Sequence, residues 1–299
     1  MPASDNDVSV KENQVNPAHN LELTVGPCSF PARSAGPSDG PLVLLLHGFP
    51  QSSWEWRDQI DALASAGYRA VAPEQRGYSP RARPDRIEDY SIDLLVADAI
   101  GMADELGANT FHLVGHDWGA IVAWHLAAAH PERLETLTIV SVPHPSAWAA
   151  AFADPTSDQP QRSAYLPEMK RLGSEENMGE EFLRFAFDNS GLAGFDTAPH
   201  IEVLGSREAM RAALNWYRAY DFTTMGLPDI TVPTLFVWSP EDVAIAREGA
   251  ELTARHVDAP YRFEVIDGIG HWIPELAAAE FSTMLLEHLA AHATESAVS

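Results

Sequence analysis

The segment VGHDWG at 114–119 is the part of the chain best suited to chemistry, because glycines flank Asp117 between an apolar run and an Ala-rich stretch. A glycine–x–nucleophile–x–glycine pattern between a strand and a helix is typical of a sharp elbow that exposes its central side chain. The glycines are needed because the turn is tight and the helix lies close to the strand. We therefore predict that Asp117 is a nucleophile. The alternative is a plain turn with an N-capping aspartate.

An aspartate nucleophile favours displacement at a saturated carbon. With a reference pKa of about 3.9, the carboxylate is ionised at neutral pH and attacks without the help of a base. On an ester or amide it would form an anhydride that collapses back, whereas on a carbon with a strained or good leaving group it forms an alkyl ester. Water must then hydrolyse that ester, which requires a general base and an oxyanion hole.

Two segments near the C-terminus supply a base and an acid that orients it. His271 lies in a glycine-rich turn just beyond the last apolar run, and we predict that it is the base. Asp242 follows the preceding apolar run and is the predicted acid, with Glu241 as the alternative. The chain order of nucleophile, acid and base is the order expected for a nucleophile elbow of this kind.

The oxyanion hole is predicted from two backbone N–H groups. One belongs to Phe49 in the loop HGFP at 47–50, which follows a strongly apolar run. The other belongs to Trp118, the residue after the nucleophile. A plain strand-to-loop turn is the alternative interpretation of HGFP, and His47 is expected to hold this loop in place.

The alternation of apolar runs with helical patterns predicts an α/β fold with a mostly parallel sheet flanked by helices. In such sheets, sites lie at the carboxyl ends of the strands, where the residues above are placed. The predicted strands lie at 42–46, 68–72, 111–114, 137–142, 234–238 and 263–266, and the predicted helices between and after them at 57–66, 93–106, 119–129, 246–255 and 277–289.

One stretch of about eighty residues interrupts the alternation. It has proline-broken segments and two helical patterns, at 180–187 and 207–220, but no clear strand. We predict that it is a helical cap covering the carboxyl ends of the strands. The predicted division is a tail at 1–20, a core at 21–144 and 226–290, the cap at 145–225 and a second tail at 291–299.

Composition excludes several classes of function. The 299 residues carry a formal net charge of −24, which argues against binding nucleic acid or an anionic membrane. The single cysteine, Cys28, rules out an intramolecular disulfide and a cysteine-based metal site. No apolar run is long enough to span a bilayer or to serve as a signal peptide. We expect a cytoplasmic protein that is a monomer or a homodimer.

These segments together resemble the α/β-hydrolase superfamily, in particular its branch with an aspartate nucleophile and a helical cap, which contains epoxide hydrolases and haloalkane dehalogenases. The resemblance covers about residues 21–290. It implies that no metal or organic cofactor is required. Family members commonly have Asp in place of Glu74 or Gln75, and Gly in place of Ser239. The resemblance rests on HGFPQSSWEWR at 47–57, RGYS at 76–79, GHDWG at 115–119, the Asp242 segment and GIGHW at 268–272.

Two features favour an epoxide over a haloalkane. In epoxide hydrolases, cap tyrosines hydrogen-bond the epoxide oxygen and protonate the leaving alkoxide, for which a phenol is a suitable acid. LNWYR at 214–218 and QRSAY at 161–165 resemble the segments that carry them, which implies these roles for Tyr217 and Tyr165, with Tyr220 as a substitute. Phe49 stands where dehalogenases often place a polar halide ligand, and a phenyl ring cannot donate to a halide.

The resemblance therefore implies an epoxide hydrolase that converts a small apolar epoxide to a vicinal diol with water. Asp117 would form the alkyl ester, and water activated by His271 would hydrolyse it. The first alternative is a haloalkane dehalogenase with the same nucleophile, and the second is a catalytically silent homologue that binds a small ligand. The residues expected to bind substrate are Phe49, Trp118, Trp148, Phe185, Tyr220 and Trp272.

Overall fold

A central β-sheet organises the protein. The computed structural model describes residues 18–222 and 226–292, and within these residues eight strands form one sheet. The strands are β1 (His19–Val25), β2 (Cys28–Ala35), β3 (Leu42–Leu46), β4 (Arg69–Pro73), β5 (Phe111–His116), β6 (Leu134–Val140), β7 (Thr234–Trp238) and β8 (Tyr261–Val265).

The strand order is β1-β2-β4-β3-β5-β6-β7-β8, and β3 to β8 are parallel to one another. This confirms the predicted α/β class with a mostly parallel sheet. The helices are α1 (Arg57–Ser65), α2 (Ile92–Glu105), α3 (Trp118–Ala129), α4 (Pro145–Ala153), α5 (Gln159–Arg162), α6 (Leu166–Lys170), α7 (Glu180–Asn189), α8 (Ala198–Leu204), α9 (Arg207–Ala219), α10 (Arg247–Leu252), α11 (Ile273–Leu276) and α12 (Ala278–Ala291).

Helices cover both faces of the sheet, which explains why its inner strands are continuous apolar runs. Every residue of β3 and of β7 is buried. Leu44 belongs to the core cluster that includes α2 and α3, whereas Val43 and Leu45 belong to the cluster formed with α1 and α12. Successive side chains of a strand point to opposite faces, so a strand buried on both faces has no polar alternation.

The first two strands were not among the predicted ones. β1 and β2 form an antiparallel hairpin at the edge of the sheet, and β2 also pairs antiparallel with β4. β1 mixes exposed and buried residues in the sequence HNLELTV, so it offers no apolar run. It begins at His19, inside the predicted tail at 1–20. Most of that tail and of the tail at 291–299 lies outside the described residues.

Between β6 and β7 the described chain, 141–222 and 226–233, contains the helices α4 to α9 and no strand. Side chains from this helical segment meet residues at the ends of β5, β6 and β7 around one cavity. We refer to residues 145–222 as the cap. Within the described residues, no helix has the length and apolar character that a membrane crossing requires.

Candidate active site

The turn between β5 and α3 exposes the carboxylate of Asp117. Its backbone has φ +50° and ψ −116°, a conformation that costs a non-glycine residue roughly 1–3 kcal/mol. Close packing enforces it: a Cβ on Gly119 would lie 2.0 Å from the carbonyl oxygen of Leu46, and one on Gly115 would lie 2.4 Å from that of Gly119. Both positions therefore require glycine, for the reason expected from the sequence.

The loop after β3 holds one oxygen of the carboxylate. The Phe49 N–H donates to Oδ1 of Asp117 at 2.8 Å. The loop lies so close that a Cβ on Gly48 would be 2.3 Å from the Cβ of Asp117. Trp118 is the first residue of α3, and the first N–H groups of a helix have no partner within it. The two N–H groups predicted for an oxyanion hole are thus placed beside Asp117.

His271 bridges two aspartates. Its Nε2 lies 3.3 Å from Oδ2 of Asp117, and its Nδ1 lies 2.7 Å from Oδ2 of Asp242. The other oxygen of the buried Asp242 accepts from the N–H groups of Ala244 and Ile245, at 2.8 and 3.0 Å. The alternative acid, Glu241, instead accepts from backbone and hydroxyl donors outside this triad and is exposed. The structure therefore brings Asp242 to His271, not Glu241.

Charge pairing sets the protonation of this triad. Burial lowers the pKa of His271, but the charge of Asp242 and the hydrogen bonds to both aspartates outweigh burial and raise that pKa to about 10. Burial raises the pKa of Asp117, but the hydrogen bond and charge of His271 outweigh it and lower the pKa. At neutral pH the resting site therefore holds an ionised Asp117 against a protonated His271.

Three buried polar residues hold the main chain of His271. Its carbonyl oxygen accepts from the hydroxyl of Ser141 at 2.9 Å and lies 3.1 Å from Nε2 of His116. Nδ1 of His116 lies 3.0 Å from Oε2 of Glu55. Burial lowers the pKa of His116 to about 4, so its imidazole is neutral at pH 7. Burial also raises the pKa of Glu55 well above its usual value. Sequence reasoning missed Glu55 and Ser141, since neither has a local signal of its role.

The loop at 47–50 is held through His47. Burial lowers the pKa of His47 to about 3, so the ring is neutral, with Nε2 accepting from the Gln75 N–H at 3.2 Å. The amide of Gln75 donates to the His47 carbonyl at 2.6 Å. Glu74 accepts from the N–H and hydroxyl of Ser53, and burial raises its pKa to about 7. The departures from the family pattern at 74 and 75 thus leave this loop well supported.

The third departure, Ser239, supports the loop that carries His271. Its hydroxyl donates to the carbonyl of Ile269, two residues before His271. A glycine at 239 could not make this hydrogen bond. The serine therefore ties the end of β7 to the turn after β8.

Two cap tyrosines share a cavity with Asp117. The rings of Tyr165 and Tyr217 lie 6.5 Å apart, and Tyr217 packs edge-on against Trp118 and Phe49 at 4.8 and 5.5 Å. Tyr165 as a whole residue is 39% exposed, but it lines the cavity together with Asp117. Burial, together with the charge of Asp117, raises the pKa of both phenols. Both tyrosines are therefore neutral hydrogen-bond donors at pH 7.

The cavity is small and mostly apolar. Its volume is about 40 Å³, against roughly 300–1,000 Å³ for typical ligand pockets. Among the described residues that line it, Asp117 alone carries a charge. The lining residues are Asp117, Trp118, Ile121, Val142, Pro143, Pro145, Trp148, Ser163, Tyr165, Leu166, Tyr217, Phe222, Ala244 and Ile245.

Of the other residues predicted to bind substrate, Trp148 lines this cavity, whereas Tyr220 and Trp272 lie beside it. The hydroxyl of Tyr220 lies 3.1 Å from Nε2 of His125, and its ring packs on Trp118 at 5.6 Å. The ring of Trp272 packs on that of His271 at 4.9 Å, and its N–H donates into the cap, to Ser190, at 2.8 Å. Tyr220 and Trp272 thus contact the triad and its neighbours from outside the cavity.

The prediction that Phe185 binds substrate is wrong. This residue is 66% exposed on α7. Leu183 and Phe187, four positions apart on the same helix, are fully buried. A residue midway between two such positions points to the opposite side of the helix, because each residue turns the helix by about 100°. Phe185 therefore faces solvent, away from the cavity.

Comparisons with known proteins agree with this geometry. The chain matches the Alpha/beta hydrolase family over residues 43–283. It is 33% identical to epoxide hydrolase A of Mycobacterium tuberculosis, covering 85% of this chain and 92% of that protein. It is 34% identical to AB hydrolase superfamily protein YfhM of Bacillus subtilis, covering 86% and 92%. The crystal structure of epoxide hydrolase A from Mycobacterium thermoresistibile matches with a TM-score of 0.78 at 26% identity, covering 93% of this chain and 100% of that one.

Proposed function

Since the chain belongs to the alpha/beta hydrolase family, we propose that it hydrolyses a small, uncharged epoxide to a vicinal diol. The observation that carries the proposal is one cavity lined by an aspartate in an elbow and by two neutral cap tyrosines, Tyr165 and Tyr217. The names of several relatives support the same reaction. The small, mostly apolar cavity favours a substrate with few polar groups.

In the proposed first step, the carboxylate of Asp117 attacks an epoxide carbon from the side opposite the carbon–oxygen bond that breaks. The departing oxygen stays attached to the neighbouring carbon and takes a proton from Tyr165 or Tyr217. The products are an alkyl ester on Asp117 and a tyrosinate. No base is needed, because a carboxylate is ionised at neutral pH and the pKa of Asp117 is lowered further in this site.

The second step requires His271 to become a base, and the first step makes it one. The negative charge of Asp117 helps to keep the imidazole of His271 protonated, and alkylation removes this charge. The proton of His271 can then return to the tyrosinate, which leaves a neutral imidazole that accepts a proton from water. The hydroxide attacks the ester carbonyl, and the N–H groups of Phe49 and Trp118 stabilise the oxyanion. His271 gives this proton to the alkoxide that departs from the ester, which leaves as the diol. The carboxylic acid of Asp117 then passes its proton to His271, which restores the ion pair of the resting site.

A variant blocked in the second step tests the proposal. In His271→Asn, Asp117 still attacks, but hydrolysis of the ester lacks its base, so an adduct accumulates at about one equivalent per active site. Intact-protein mass spectrometry after a short incubation then identifies the leaving group. An epoxide adduct weighs enzyme plus the whole substrate, whereas a haloalkane adduct is lighter by the lost hydrogen halide.

The matched control is the double variant Asp117→Ala/His271→Asn, which lacks the carboxylate and is expected to form no adduct. Wild-type enzyme is assayed in parallel for diol with a panel of small epoxides and for free halide with a panel of haloalkanes. Halide release without diol would replace the epoxide proposal by a dehalogenase. A label on a residue other than Asp117, or no turnover in either panel, would reject the proposed mechanism.

A further inference from the structure

A buried glutamine in the cap contacts the loop that carries the acid. Gln159, the first residue of α5, is fully buried. Its amide nitrogen donates to the carbonyl of Ala244 at 2.8 Å, and its amide oxygen accepts from the N–H of Ala246 at 2.9 Å. We call residues 242–246 the acid loop. One cap side chain thus bonds the main chain of this loop at two positions.

The main chain of the acid loop also holds the carboxylate of Asp242. The N–H groups of Ala244 and Ile245 both donate to Oδ1 of Asp242. A shift of these residues would therefore move the carboxylate that orients His271. Arg162, at the other end of α5, adds a hydrogen bond to the carbonyl of Asp242 and is itself held by Asp158 at 2.9 Å. The two ends of the short helix α5, Gln159 and Arg162, therefore both hydrogen-bond the main chain of the acid loop.

Gln159 is also bonded to the segment that leads to Tyr165. Its amide nitrogen donates a second hydrogen bond to the hydroxyl of Ser163, at 2.9 Å. Ser163 and Tyr165 line the cavity, and so do Ala244 and Ile245 of the acid loop. Both amide hydrogens and the amide oxygen of Gln159 are therefore used to join two parts of one site.

We propose that Gln159 is a positioning residue that fixes the acid loop and the Tyr165 segment relative to each other. It touches neither substrate nor reacting atoms, and the inference rests on the proposed function. Tyr165 serves ring opening, whereas Asp242 serves ester hydrolysis through His271. A single buried amide thereby aligns the groups for both half-reactions, and the cap becomes part of the hydrolytic machinery as well as a cover.

The variant Gln159→Met tests this, because it keeps the length and bulk of the side chain and removes all three hydrogen bonds. Gln161→Met is the matched control, since Gln161 is exposed on the same turn. Single-turnover experiments measure ester formation and ester hydrolysis, each expressed per active site that can be alkylated. We expect both rates to fall roughly 10- to 100-fold in Gln159→Met, the scale of a catalytic group misplaced by about 1 Å.

A loss of folding alone would lower the number of active sites but not the rate at each of them. If Gln159→Met does not fold, Gln159→Asn is measured in the same way, because it keeps the amide but is one methylene too short. Rates per active site equal to those of Gln161→Met would overturn the inference.

A second readout separates this inference from the proposed function. The imidazole of His271 faces Asp117, Asp242 and the ring of His116, and Asp242 is the main influence that raises its pKa. We expect the pKa of His271, measured by NMR of labelled imidazole, to fall in Gln159→Met and to stay unchanged in Gln161→Met. If wild-type enzyme makes no diol, the proposed function fails, yet this titration still decides the positioning role: an unchanged pKa rejects it.

Discussion

At the scale of single residues, the site is an ion triad in which one imidazolium lies between two carboxylates. Asp117 and Asp242 both contact His271, on opposite ring nitrogens. This arrangement suits a nucleophile that must be ionised before substrate arrives. It also links the two proposed half-reactions. Ester formation consumes the negative charge of Asp117, and that charge helps to keep His271 protonated and therefore unable to act as a base.

The first residue-scale prediction concerns the pKa of His271. Asp117→Asn removes a negative charge that favours the protonated ring, so we expect the pKa to fall from about 10 and the neutral imidazole to be present at lower pH. NMR of labelled imidazole across a pH titration measures this. His125 provides the internal control, because burial lowers its pKa to about 4 independently of Asp117. An unchanged or higher pKa for His271 would contradict this account of the triad.

The second residue-scale prediction concerns the phenol groups of Tyr165 and Tyr217. We expect Tyr217→Phe and Tyr165→Phe each to slow epoxide opening by roughly 10²-fold, the scale of a lost general acid, and the double variant to be slower still. Rapid-mixing measurements of ester formation separate this effect from hydrolysis. Tyr68→Phe, on a tyrosine that packs against His112 away from the cavity, is the control. Undiminished opening in the double variant would point to a leaving group that needs no proton.

At the scale of secondary structure, the strand-to-helix elbow depends on backbone packed against backbone. α3 approaches β3 so closely that a Cβ on Gly119 would lie 2.0 Å from the carbonyl oxygen of Leu46. The loop after β3 in turn presses Gly48 against Asp117. Side-chain rearrangement cannot relieve a contact with a main-chain oxygen, so the positive φ of Asp117 is maintained by its surroundings.

We therefore expect Gly119→Ala to lose at least about 3 kcal/mol of stability, the upper range for overpacking a core, or to prevent folding. Urea unfolding followed by circular dichroism measures the free energy of unfolding. Gly226→Ala is the matched control, since an added Cβ there meets no atom of the described residues within 4 Å and the variant should be close to wild type. A Gly119→Ala protein as stable as that control would show that the elbow can widen.

At the scale of the whole molecule, cap and core are also joined by a buried polar cluster that involves none of the residues bonded to Gln159. Nδ1 of His200, in α8 of the cap, lies 2.9 Å from both the N–H and the hydroxyl of Ser52 in the core. His200 also lies 3.6 Å from Glu275, which pairs with Arg57 at 2.7 Å. Together with the hydrogen bonds of Gln159 to the acid loop, this cluster holds the cap to the core through two different sets of residues.

Arg57→Gln would remove the guanidinium that pairs with the buried carboxylate of Glu275 at 2.7 Å. Removing one partner of a buried pair typically costs roughly 3–5 kcal/mol, and the partial exposure of Arg57 places our expectation near the lower figure. Urea unfolding measures the loss. Arg184→Gln breaks an exposed pair with Glu180 and should cost about 0.5 kcal/mol or less. Equal losses of unfolding free energy in the two variants would show that the buried pair of Arg57 and Glu275 stabilises the protein no more than an exposed pair does.

Local sequence patterns are sufficient to predict the fold class, the family and the position of the elbow. Apolar runs such as 42–46 and 234–238 coincide with β3 and β7, because strands buried on both faces can hardly be built otherwise. The glycines around Asp117 mark a turn whose steric requirement is local. Signals of this kind involve neighbouring residues only, so they can be read before any contact is known.

Which distant side chains meet depends on the tertiary structure. It selected Asp242 over its neighbour Glu241 as the partner of His271, and it turned Phe185 to solvent. It brought Glu55 to His116 across 61 positions and Gln159 to Ala244 across 85. Such contacts depend on how loops and cap helices dock on the sheet. The direction of a side chain in an irregular loop follows from long-range packing, for which the local sequence carries no signal.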